Sequence, residues 1–514
     1  MITRIILLAA FAVFLYRRGR FALKFFQQES YHYGAFTKFI FRRYQMIDKF
    51  VSVPAIIVAI LPISFATMCI LDATILLVAT IRERNPIIGA RKPLVATARA
   101  RRIFWTMFAI MMVAATAFLN QYTLPIFAIG VPFALMFANW ILTPVERAIT
   151  QKYLNQAREK LAAINPIVIG ITGSFGKTST KNILQHILAG TAKSYTTPRS
   201  INTIMGLTRC IRMELSPAHK YFIAEIGTSY PGEIAAIAEF VRPKFAMITS
   251  VAGAHFENFG SLDAIAREKF DIAKTAEFLL VNGANVDEKF ITEYAPPKIT
   301  EIYDDQIIFN LKQNPDGISF DLAHGGNIHN ITAPIFGTHN AQNIAGAFIM
   351  ARHLDVPTEK ILAALRTLPQ TEHRLEVRRE NGITIIDDAF NSNMSGFLSA
   401  LKTMSALRGG GLPPEALAKG GRAILITPGM VELGELHGEQ HAAVGRAANA
   451  AADFVVAVKP ERIPEFNEQI APEKLVRADN LAAAQEWLAA NARPGDVVLY
   501  ENDLPDVFVE RFLI

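Results

Sequence analysis

The sequence predicts an α/β protein in which two α/β domains follow a helical transmembrane module. Long apolar runs are concentrated before residue 145 and approach the length that crosses a bilayer as helix. From about residue 150, short apolar strands alternate with amphipathic helices, the pattern of a parallel α/β sheet. A glycine-rich turn between a strand and a helix near residue 175 is typical of a P-loop. We expect a transmembrane helical module at 1–149, a P-loop central domain at 150–370 and a Rossmann-like α/β domain at 371–514.

Composition limits the classes of protein that this chain fits. With 514 residues it can hold two or three domains, and its apolar fraction of 51% is slightly high for a wholly soluble enzyme. The two cysteines, Cys69 and Cys210, lie far apart and support neither a disulfide framework nor a cysteine-based zinc site. The net charge of +6 is modest, and the basic residues cluster beside the apolar runs. Such clustering suits an anionic membrane surface better than nucleic acid.

The first apolar run covers residues 2–16 and is followed by Arg17, Arg18 and Arg20. A cleaved signal peptide is the competing interpretation, but its charges precede the apolar run and a small-residue cleavage site follows it. The order here is reversed, so we expect an uncleaved membrane anchor.

Three further apolar runs follow, at residues 51–80, 103–119 and 124–142. The last two are expected to form a transmembrane hairpin around the polar turn at 120–123. Buried core helices of a soluble domain are the competing interpretation. Several such runs with basic clusters between them favour the membrane.

Two basic segments, 17–50 and 82–102, indicate the orientation, because basic loops stay in the cytoplasm. This places the 120–123 turn outside and returns the chain to the cytoplasm at Glu146. We therefore expect a multi-pass protein of the cytoplasmic membrane whose catalytic domains face the cytoplasm. Residues 51–80 would then enter and leave on one side as a kinked re-entrant pair.

The glycine-rich turn has the features of a phosphate cradle. The apolar run 167–171 leads into a turn with Gly173 and Gly176, and Lys177 and Thr178 open a helix. Backbone N–H groups and the helix dipole favour an anion there, and the lysine reaches the outer phosphates. The threonine hydroxyl suits a nucleotide-bound Mg²⁺ ion. A chance glycine turn is the competing interpretation, which the strand, the glycine spacing and the helix start together disfavour.

The rest of the chain repeats the strand–helix alternation. A charged linker helix is expected at 145–162, and a small antiparallel insert is expected at about 300–336. The expected strands are 166–172, 221–227, 245–251 and 277–282 in the first series and 383–388, 422–427, 453–458 and 496–500 in the second.

The loop TGSFGKTST resembles the ATP-binding loop of the Mur ligase family, whose members form amide bonds during peptidoglycan precursor synthesis. Further similar segments follow in the order and spacing of that family: YFIAEIGTSYPGEI, ITSVAGAHFENFGS, SLDAIAREKFDI, FGTHNAQNIAGA, HRLEV, IIDDAFNSN and GMVELGELHGEQH. The resemblance covers about residues 160–450. It is greatest to the branch that adds D-alanyl-D-alanine to UDP-N-acetylmuramoyl-tripeptide.

The resemblance implies a role for each matching residue. ATP would be bound by Thr172, Gly173, Ser174, Gly176, Lys177, Thr178, Ser179, His339, Asn340, Asn343, Arg374 and Asp388. Mg²⁺ would be held by Thr178, Glu225, His255 and Lys269, the lysine acting as a carbamate. The catalytic residues would be Lys177, Lys269, His255 and Arg374. Taken singly, each of these residues could have a structural role instead, such as a glutamate that ends a strand, a histidine whose ring hydrogen-bonds within the protein, or a lysine at the surface.

The departures from the family pattern concern the acceptor rather than ATP. The membrane module occupies the place of the domain that holds the UDP end of the substrate. Asn202 is kept, but Thr203 stands where a second asparagine is expected, and Met394 stands where a proline is usual. Residues 500–505 replace a Lys-Gly-Ser-Arg-like segment. We therefore expect the acceptor to be lipid-linked or membrane-proximal, and not necessarily the soluble UDP-linked tripeptide.

The leading hypothesis is a membrane-anchored, ADP-forming carboxylate–amine ligase that uses ATP and Mg²⁺ and acts through an acyl phosphate. The expected partners are an amino-acid or dipeptide amine such as D-alanyl-D-alanine, a carboxylate acceptor and membrane lipids, and no nucleic acid. A ligase for a polyglutamate-like polymer or another lipid-linked envelope substrate stays open. So do a membrane-tethered P-loop ATPase or switch and a scaffold that binds ATP without catalysis.

Overall fold

The computed structural model describes residues 2–29, 31–43, 51–83, 86, 93–120, 122–253, 256–389, 393–408, 421–431, 433 and 436–502. The predicted metal and catalytic residue His255 lies outside this part of the chain, as do residues 503–505 of the substituted segment 500–505. The chain divides into two compact units, one extending to Lys152 and the other covering Tyr153–Asp503.

The first unit is helical. Its helices are α1 (Ile2–Gln28), α2 (Tyr33–Arg43), α3 (Ser52–Ile60), α4 (Phe65–Arg82), α5 (Ala98–Phe118) and α6 (Leu124–Ile164), of which α6 extends into the second unit. Among the described residues, α4, α5 and α6 are long and apolar enough to cross a membrane. The expected kinked pair at 51–80 is formed by α3 and α4 with a break between them, and the expected hairpin is formed by α5 and α6.

Helix α6 differs from the expectation of a separate linker helix at 145–162. It runs through Pro132 and Pro144 without interruption. Proline removes one backbone hydrogen bond in a helix interior, and apolar helices tolerate it where neighbouring helices restore the packing. The apolar run and the charged linker therefore form one helix of 41 residues.

Hydrogen bonds bring the two basic segments of the helical unit together. The guanidinium group of Arg17 donates to the carbonyl of Glu83 at 2.9 Å, and Arg18 forms a 2.6 Å ion pair with the Glu83 carboxylate. The Gln27 side chain exchanges two hydrogen bonds with the backbone of Val95. The C-terminal half of α1 thus lies beside the end of α4 and the start of α5.

A carboxylate–guanidinium pair joins α5 to α6. Arg102 donates to both oxygens of Glu146, at 2.6 and 2.8 Å, and Glu146 is largely buried. We expect Glu146→Gln to lower the free energy of unfolding of the helical unit by about 1–3 kcal/mol, because one buried charge-assisted pair is lost. Thermal unfolding in detergent, combined with Arg102→Ala in a double-mutant cycle, measures the effect. Additive losses from the two single variants would contradict it.

The described residues of the second unit form three sheets. The central sheet consists of β1 (Ile167–Thr172), β2 (Ser194–Thr196), β3 (Tyr221–Glu225), β4 (Phe245–Ile248), β5 (Phe278–Asn282) and β6 (Thr300–Tyr303). Its order is β2-β3-β1-β4-β5-β6 and all its pairings are parallel. A three-stranded antiparallel sheet follows, made of β7 (Ile308–Asn314), β8 (Gly317–His324) and β9 (Asn327–Ala333).

The antiparallel insert is smaller than the expected range 300–336. Strand β6 lies in that range but pairs in parallel with β5 and extends the central sheet. Only β7, β8 and β9 form the insert. The short segment Thr300–Tyr303 carries the same local pattern as the hairpin strands after it, so its partner is decided by tertiary packing.

The third sheet lies in the C-terminal part of the unit. Its strands are β10 (Glu376–Glu380), β11 (Ile383–Asp388), β12 (Ala423–Thr427), β13 (Phe454–Val458), β14 (Leu475–Ala478) and β15 (Val497–Glu501), in the order β10-β11-β15-β12-β13-β14. Strand β10 is antiparallel to β11, and the other pairings are parallel.

Helices cover the sheets of the second unit. They are α7 (Lys177–Ala189), α8 (Ile204–Met213), α9 (Glu233–Val241), α10 (Phe256–Phe259), α11 (Leu262–Phe270), α12 (Glu288–Tyr294), α13 (Asn340–His353), α14 (Thr358–Leu365), α15 (Met394–Leu407), α16 (His437–Ala451), α17 (Pro464–Asn467) and α18 (Leu481–Asn491). Apolar side chains of β1, α7 and α13 share one core, which fixes α7 against the sheet. Since ligands of parallel sheets bind at the carboxyl ends of the strands, the ends of β1, β3 and β4 are where a site is expected.

Candidate functional site

The glycine-rich loop connects the end of β1 to the start of α7. A Cβ atom at Gly173 would lie 2.0 Å from Thr249 Oγ1, and one at Gly176 would lie 2.8 Å from Asn343 Oδ1. Gly176 also has a φ of 82°, a left-handed conformation that favours glycine. The Ser174 hydroxyl donates to the carbonyl of Ala252 at 2.9 Å and ties the loop to the segment after β4. Both glycines are therefore required by close packing.

Replacing Gly176 with alanine is expected to weaken nucleotide binding about tenfold or more, because a left-handed non-glycine residue costs about 1–2 kcal/mol and the new methyl group displaces Asn343. Titration with a fluorescent ATP analogue measures the affinity. Gly232→Ala is a matched control for the backbone strain, since Gly232 also has a positive φ but nothing lies near its missing Cβ. Equal nucleotide affinities for the two variants would contradict the packing argument.

The side chain of Lys177 folds back over the loop. Its ammonium group donates to the carbonyl of Gly173 at 2.5 Å. Burial lowers the pKa of Lys177 below its ordinary value, and the carboxylate of Glu225 opposes this shift. A lysine in this place puts a positive charge beside the N-terminus of α7, where backbone N–H groups already favour an anion.

Glu225 is the last residue of β3 and is only 1% exposed. One carboxylate oxygen accepts from the Thr178 hydroxyl at 2.9 Å and lies 3.1 Å from the ammonium of Lys181. The other accepts from the Asn202 amide at 3.2 Å. A hydroxyl and a carboxylate in contact are oxygen donors of the kind that Mg²⁺ prefers, so Thr178 and Glu225 fit that ion.

Lys181 is a site residue that the sequence reasoning missed. It stands four residues after Lys177 in the same helix, so the two lysines share a helix face. That spacing is the one signal in the sequence that could have drawn attention to it.

Lys269 lies in α11 and is 4% exposed. Burial, with a further contribution from the charge of Lys177, lowers the pKa of Lys269 to about 7, and Glu268 opposes the shift. The amine is therefore substantially neutral near pH 7. A neutral amine can react with carbon dioxide, so the described environment permits the carbamate that the sequence resemblance implies.

Arg374 lies close enough to Glu225, at the end of β3, and to Asp388, at the end of β11, for their charges to interact. Burial lowers the pKa of Arg374, while the charges of Glu225 and Asp388 raise it. Its neighbours His373 and Leu375 have positive φ angles of 59° and 46°. The N–H group of Leu375 donates to Asp388 Oδ1 at 3.1 Å, which fixes the segment that carries the arginine.

The predicted ATP-binding residues His339, Asn340 and Asn343 all have hydrogen-bond partners within the protein. The Asn340 amide donates to the carbonyl of Phe336 at 2.6 Å, and the Asn343 amide donates to Asn340 Oδ1 at 2.8 Å. His339 Nδ1 lies 2.7 Å from the Ser399 hydroxyl, and burial lowers the pKa of His339 to about 4, so its ring is neutral. The two asparagines are thus tied to protein partners.

A pocket of about 390 Å³ lies beside α7 and contains several predicted nucleotide contacts. Its lining includes Ser179, Asn340 and Arg374 together with Asn182, Phe336 and Gln370. Polar groups and one aromatic ring around a concave space are what a nucleotide needs.

Thr172, another predicted ATP-binding residue, has a buried hydroxyl without a hydrogen-bond partner in the described structure.

Asp388 ends β11, and burial raises its pKa to about 6, with Arg374 opposing the shift. If its carboxylate accepts a hydroxyl of the nucleotide, protonation removes that acceptor as the pH falls through about 6. We expect nucleotide affinity to decrease from about pH 7 to pH 5 in the wild type and to change less in Asp388→Asn. Calorimetric titration with ADP at each pH checks this, and identical pH profiles would contradict it.

Contacts and charges thus link five of the predicted site residues into one group, which consists of Lys177, Thr178, Glu225, Lys269 and Arg374. Comparison with known proteins identifies the class to which this arrangement belongs. Residues 171–351 match the Mur ligase middle domain, and residues 373–500 match the Mur ligase glutamate ligase domain. The chain belongs to the Mur ligase family, which confirms the resemblance seen in the motifs.

Its relatives include UDP-N-acetylmuramoyl-tripeptide–D-alanyl-D-alanine ligases. The enzyme of Buchnera aphidicola is 29% identical over 300 residues, covering 55% of this chain and 62% of the relative. That of Borreliella burgdorferi is 33% identical over 243 residues, covering 46% and 52%. The chain thus spans little more than half the length of these relatives. The MurF ligase of Thermotoga maritima, solved in complex with ADP, is 24% identical with a TM-score of 0.59, covers 71% of this chain and 82% of its own, and shares the fold.

Proposed function

We propose that this protein is a membrane-anchored, ATP-dependent carboxylate–amine ligase of peptidoglycan precursor synthesis, adding D-alanyl-D-alanine or a similar amine and releasing ADP. The observation that carries the proposal is the gathering of Lys177, Thr178, Glu225 and Lys269 at one edge of the central sheet, with Arg374 reaching it. Ordinary ATP-driven switches have no need for a buried, near-neutral lysine beside the phosphate loop.

In this proposal ATP phosphorylates the acceptor carboxylate, and the amine attacks the acyl phosphate with release of phosphate. Lys177 and the loop N–H groups hold the transferring phosphoryl group, and Arg374 neutralises charge that develops on it. The neutral amine of Lys269 adds carbon dioxide and loses a proton, so that a carboxylate replaces the amine near Lys177. Mg²⁺, when bound, would neutralise phosphate charge, and Thr178 and Glu225, with the Lys269 carbamate and His255 as the resemblance implies, would hold it.

The domain division that accompanies this proposal is a transmembrane module at 1–149, a P-loop ATP-binding domain at 150–370 and a Rossmann-like C-terminal domain at 371–514. The glycine-rich loop supplies the phosphate cradle and the pocket beside α7 supplies the base site. The three candidate spans support a multi-pass protein in the cytoplasmic membrane with its ligase domains on the cytoplasmic side, where ATP is available.

The acceptor that we propose is lipid-linked or membrane-proximal. The membrane module stands where the family holds the UDP end of the soluble substrate. Glu501 lies beside Asp388 in the register of β15 and β11, in the segment where the family has a basic residue. Asn502 has a φ of 64° and donates to the carbonyl of Gly429 at 2.6 Å. The charge reversal at this edge favours a substrate different from the soluble one.

The test uses the full-length protein in nanodiscs with ATP, D-alanyl-D-alanine and either the soluble UDP-linked tripeptide or its lipid-linked form. Acceptor-dependent release of ADP and phosphate, with an amide product in mass spectra, supports the proposal. Amide formation with AMP and pyrophosphate would overturn the mechanism. ATP turnover that no acceptor changes would favour a switch, and nucleotide binding without turnover would favour a scaffold.

A further inference from the structure

Lys181 is a fully buried cation that the proposed chemistry does not use. Its exposed fraction is 0%, and its ammonium lies 3.1 Å from the carboxylate of Glu225. The same ammonium donates to the carbonyl of Thr197 at 2.7 Å and to the carbonyl of Arg199. Burying an ammonium group is costly, so its protein partners must replace the water that it loses.

Those partners belong to two different parts of the site. Glu225 is the carboxylate at the end of β3. The carbonyls belong to the segment 197–203, which also contributes Asn202, whose amide donates to the other oxygen of Glu225 at 3.2 Å. The segment thus meets the carboxylate of Glu225 twice, once through the Asn202 side chain and once through Lys181.

The backbone conformation and the packing of the segment 197–203 also keep it beside Glu225. Arg199 has a φ of 50°, a conformation that a residue with a side chain adopts only when its surroundings hold it there. A Cβ atom at Gly227 would lie 2.5 Å from the Asn202 amide, so the chain after β3 leaves room for that side chain. Packing, backbone conformation and hydrogen bonds therefore all hold the segment 197–203 beside Glu225.

We propose that Lys181 is a positioning residue that couples the segment 197–203 to Glu225, so that metal binding at Glu225 and the position of this segment depend on each other. If the Glu225 carboxylate held Mg²⁺, it would attract the Lys181 ammonium less strongly. The ammonium would then rest on the carbonyls of Thr197 and Arg199, which it would hold in place. The inference relies on the proposed role of Glu225 as a Mg²⁺ ligand.

The test compares Lys181→Met with Lys193→Met, a matched substitution of an exposed lysine close to the same segment. Trypsin cleavage after Arg199 in the folded, full-length protein reports the position of the segment, and mass spectrometry quantifies it. Loss of the charge-assisted bonds is expected to speed this cleavage at least about tenfold in Lys181→Met. Electron paramagnetic resonance of free Mn²⁺, with ADP present, reports metal affinity.

In the wild type and in Lys193→Met, Mn²⁺ should slow the cleavage after Arg199, whereas in Lys181→Met it should leave the cleavage rate unchanged. Unchanged cleavage and an unchanged Mn²⁺ response in folded Lys181→Met would overturn the proposal. If that variant does not fold, Glu225→Gln replaces it, and slower cleavage after Arg199 without metal is the expected result, because the Lys181 ammonium then rests on the carbonyls of Thr197 and Arg199 alone. A wild-type rate would then refute the coupling. Neither readout requires turnover, so a failure here is distinct from a failure of the ligase proposal.

Discussion

Replacing Lys177 with alanine is expected to lower the kcat/KM of acceptor-dependent ADP release by about 1000-fold or more. The ammonium group of Lys177 is held over the glycine-rich loop by the carbonyl of Gly173, 2.5 Å away, and lies close enough to Glu225 for their charges to interact. Removing a preorganised cation from the place where phosphoryl charge develops forfeits about 4 kcal/mol or more of transition-state stabilisation. A coupled assay for ADP measures the loss.

The control for this variant is Lys274→Ala. Lys274 is half exposed at the surface and pairs with Asp271 at 2.9 Å, so its loss should leave ADP release near the wild-type rate. Thermal unfolding establishes that both variants are folded. Lys177→Ala that retains more than about a tenth of wild-type activity would show that the phosphates bind elsewhere.

The core of the candidate site could be predicted because its residues are close in sequence or follow strands. The turn from β1 to α7 places Gly173, Gly176 and Lys177 by local geometry alone. Glu225 comes at the end of an apolar strand, and strands beside each other in a parallel sheet bring their carboxyl ends together. An ordered series of such motifs is sufficient to predict the family and its α/β fold.

Other features depend on long-range packing that no local pattern records. Lys181 has the sequence context of an ordinary helical lysine, yet it is fully buried because Glu225, Thr197 and Arg199 surround it. Strand β6 resembles the hairpin strands that follow it but joins the parallel sheet. The roles of Asn340 and Asn343 were expected from the resemblance, whereas their contacts to Phe336 and to Thr180 of α7 appear only in three dimensions.

The helical unit shows the same difference between features that the sequence predicts and features that depend on long-range packing. Hydropathy and charge predicted the long apolar helices and the two basic segments, because both are properties of local composition. They could not predict that α6 continues through Pro144 into the charged segment. Whether a proline ends a helix depends on the neighbouring helices, which a linear pattern does not contain.

Removal of carbon dioxide is expected to suppress ligation by this protein, because Lys269 is placed to act as a carbamate. Its pKa of about 7 results from burial and from the nearby charge of Lys177. Below about pH 7 the amine is protonated and cannot react with carbon dioxide, and above it the neutral amine predominates. At constant dissolved carbon dioxide, activity should therefore rise as the pH increases through 7. Rates in degassed and bicarbonate-supplemented buffers measure the dependence, and ¹³C NMR detects the carbamate carbon.

Two variants make this expectation specific to Lys269. Lys269→Arg keeps a positive charge at every accessible pH and should lose about 100-fold or more of the ligation rate, since a cation then stands beside the metal and phosphates. Lys269→Ala should be similarly impaired but partly restored by added formate or acetate, which can supply the missing carboxylate in the cavity. Lys274→Ala should keep the full bicarbonate response. Wild-type ligation at full rate in carbon-dioxide-free buffer, with no ¹³C signal from a lysine carbamate, would exclude this role and leave Lys269 as a buried, neutral amine beside the phosphate loop.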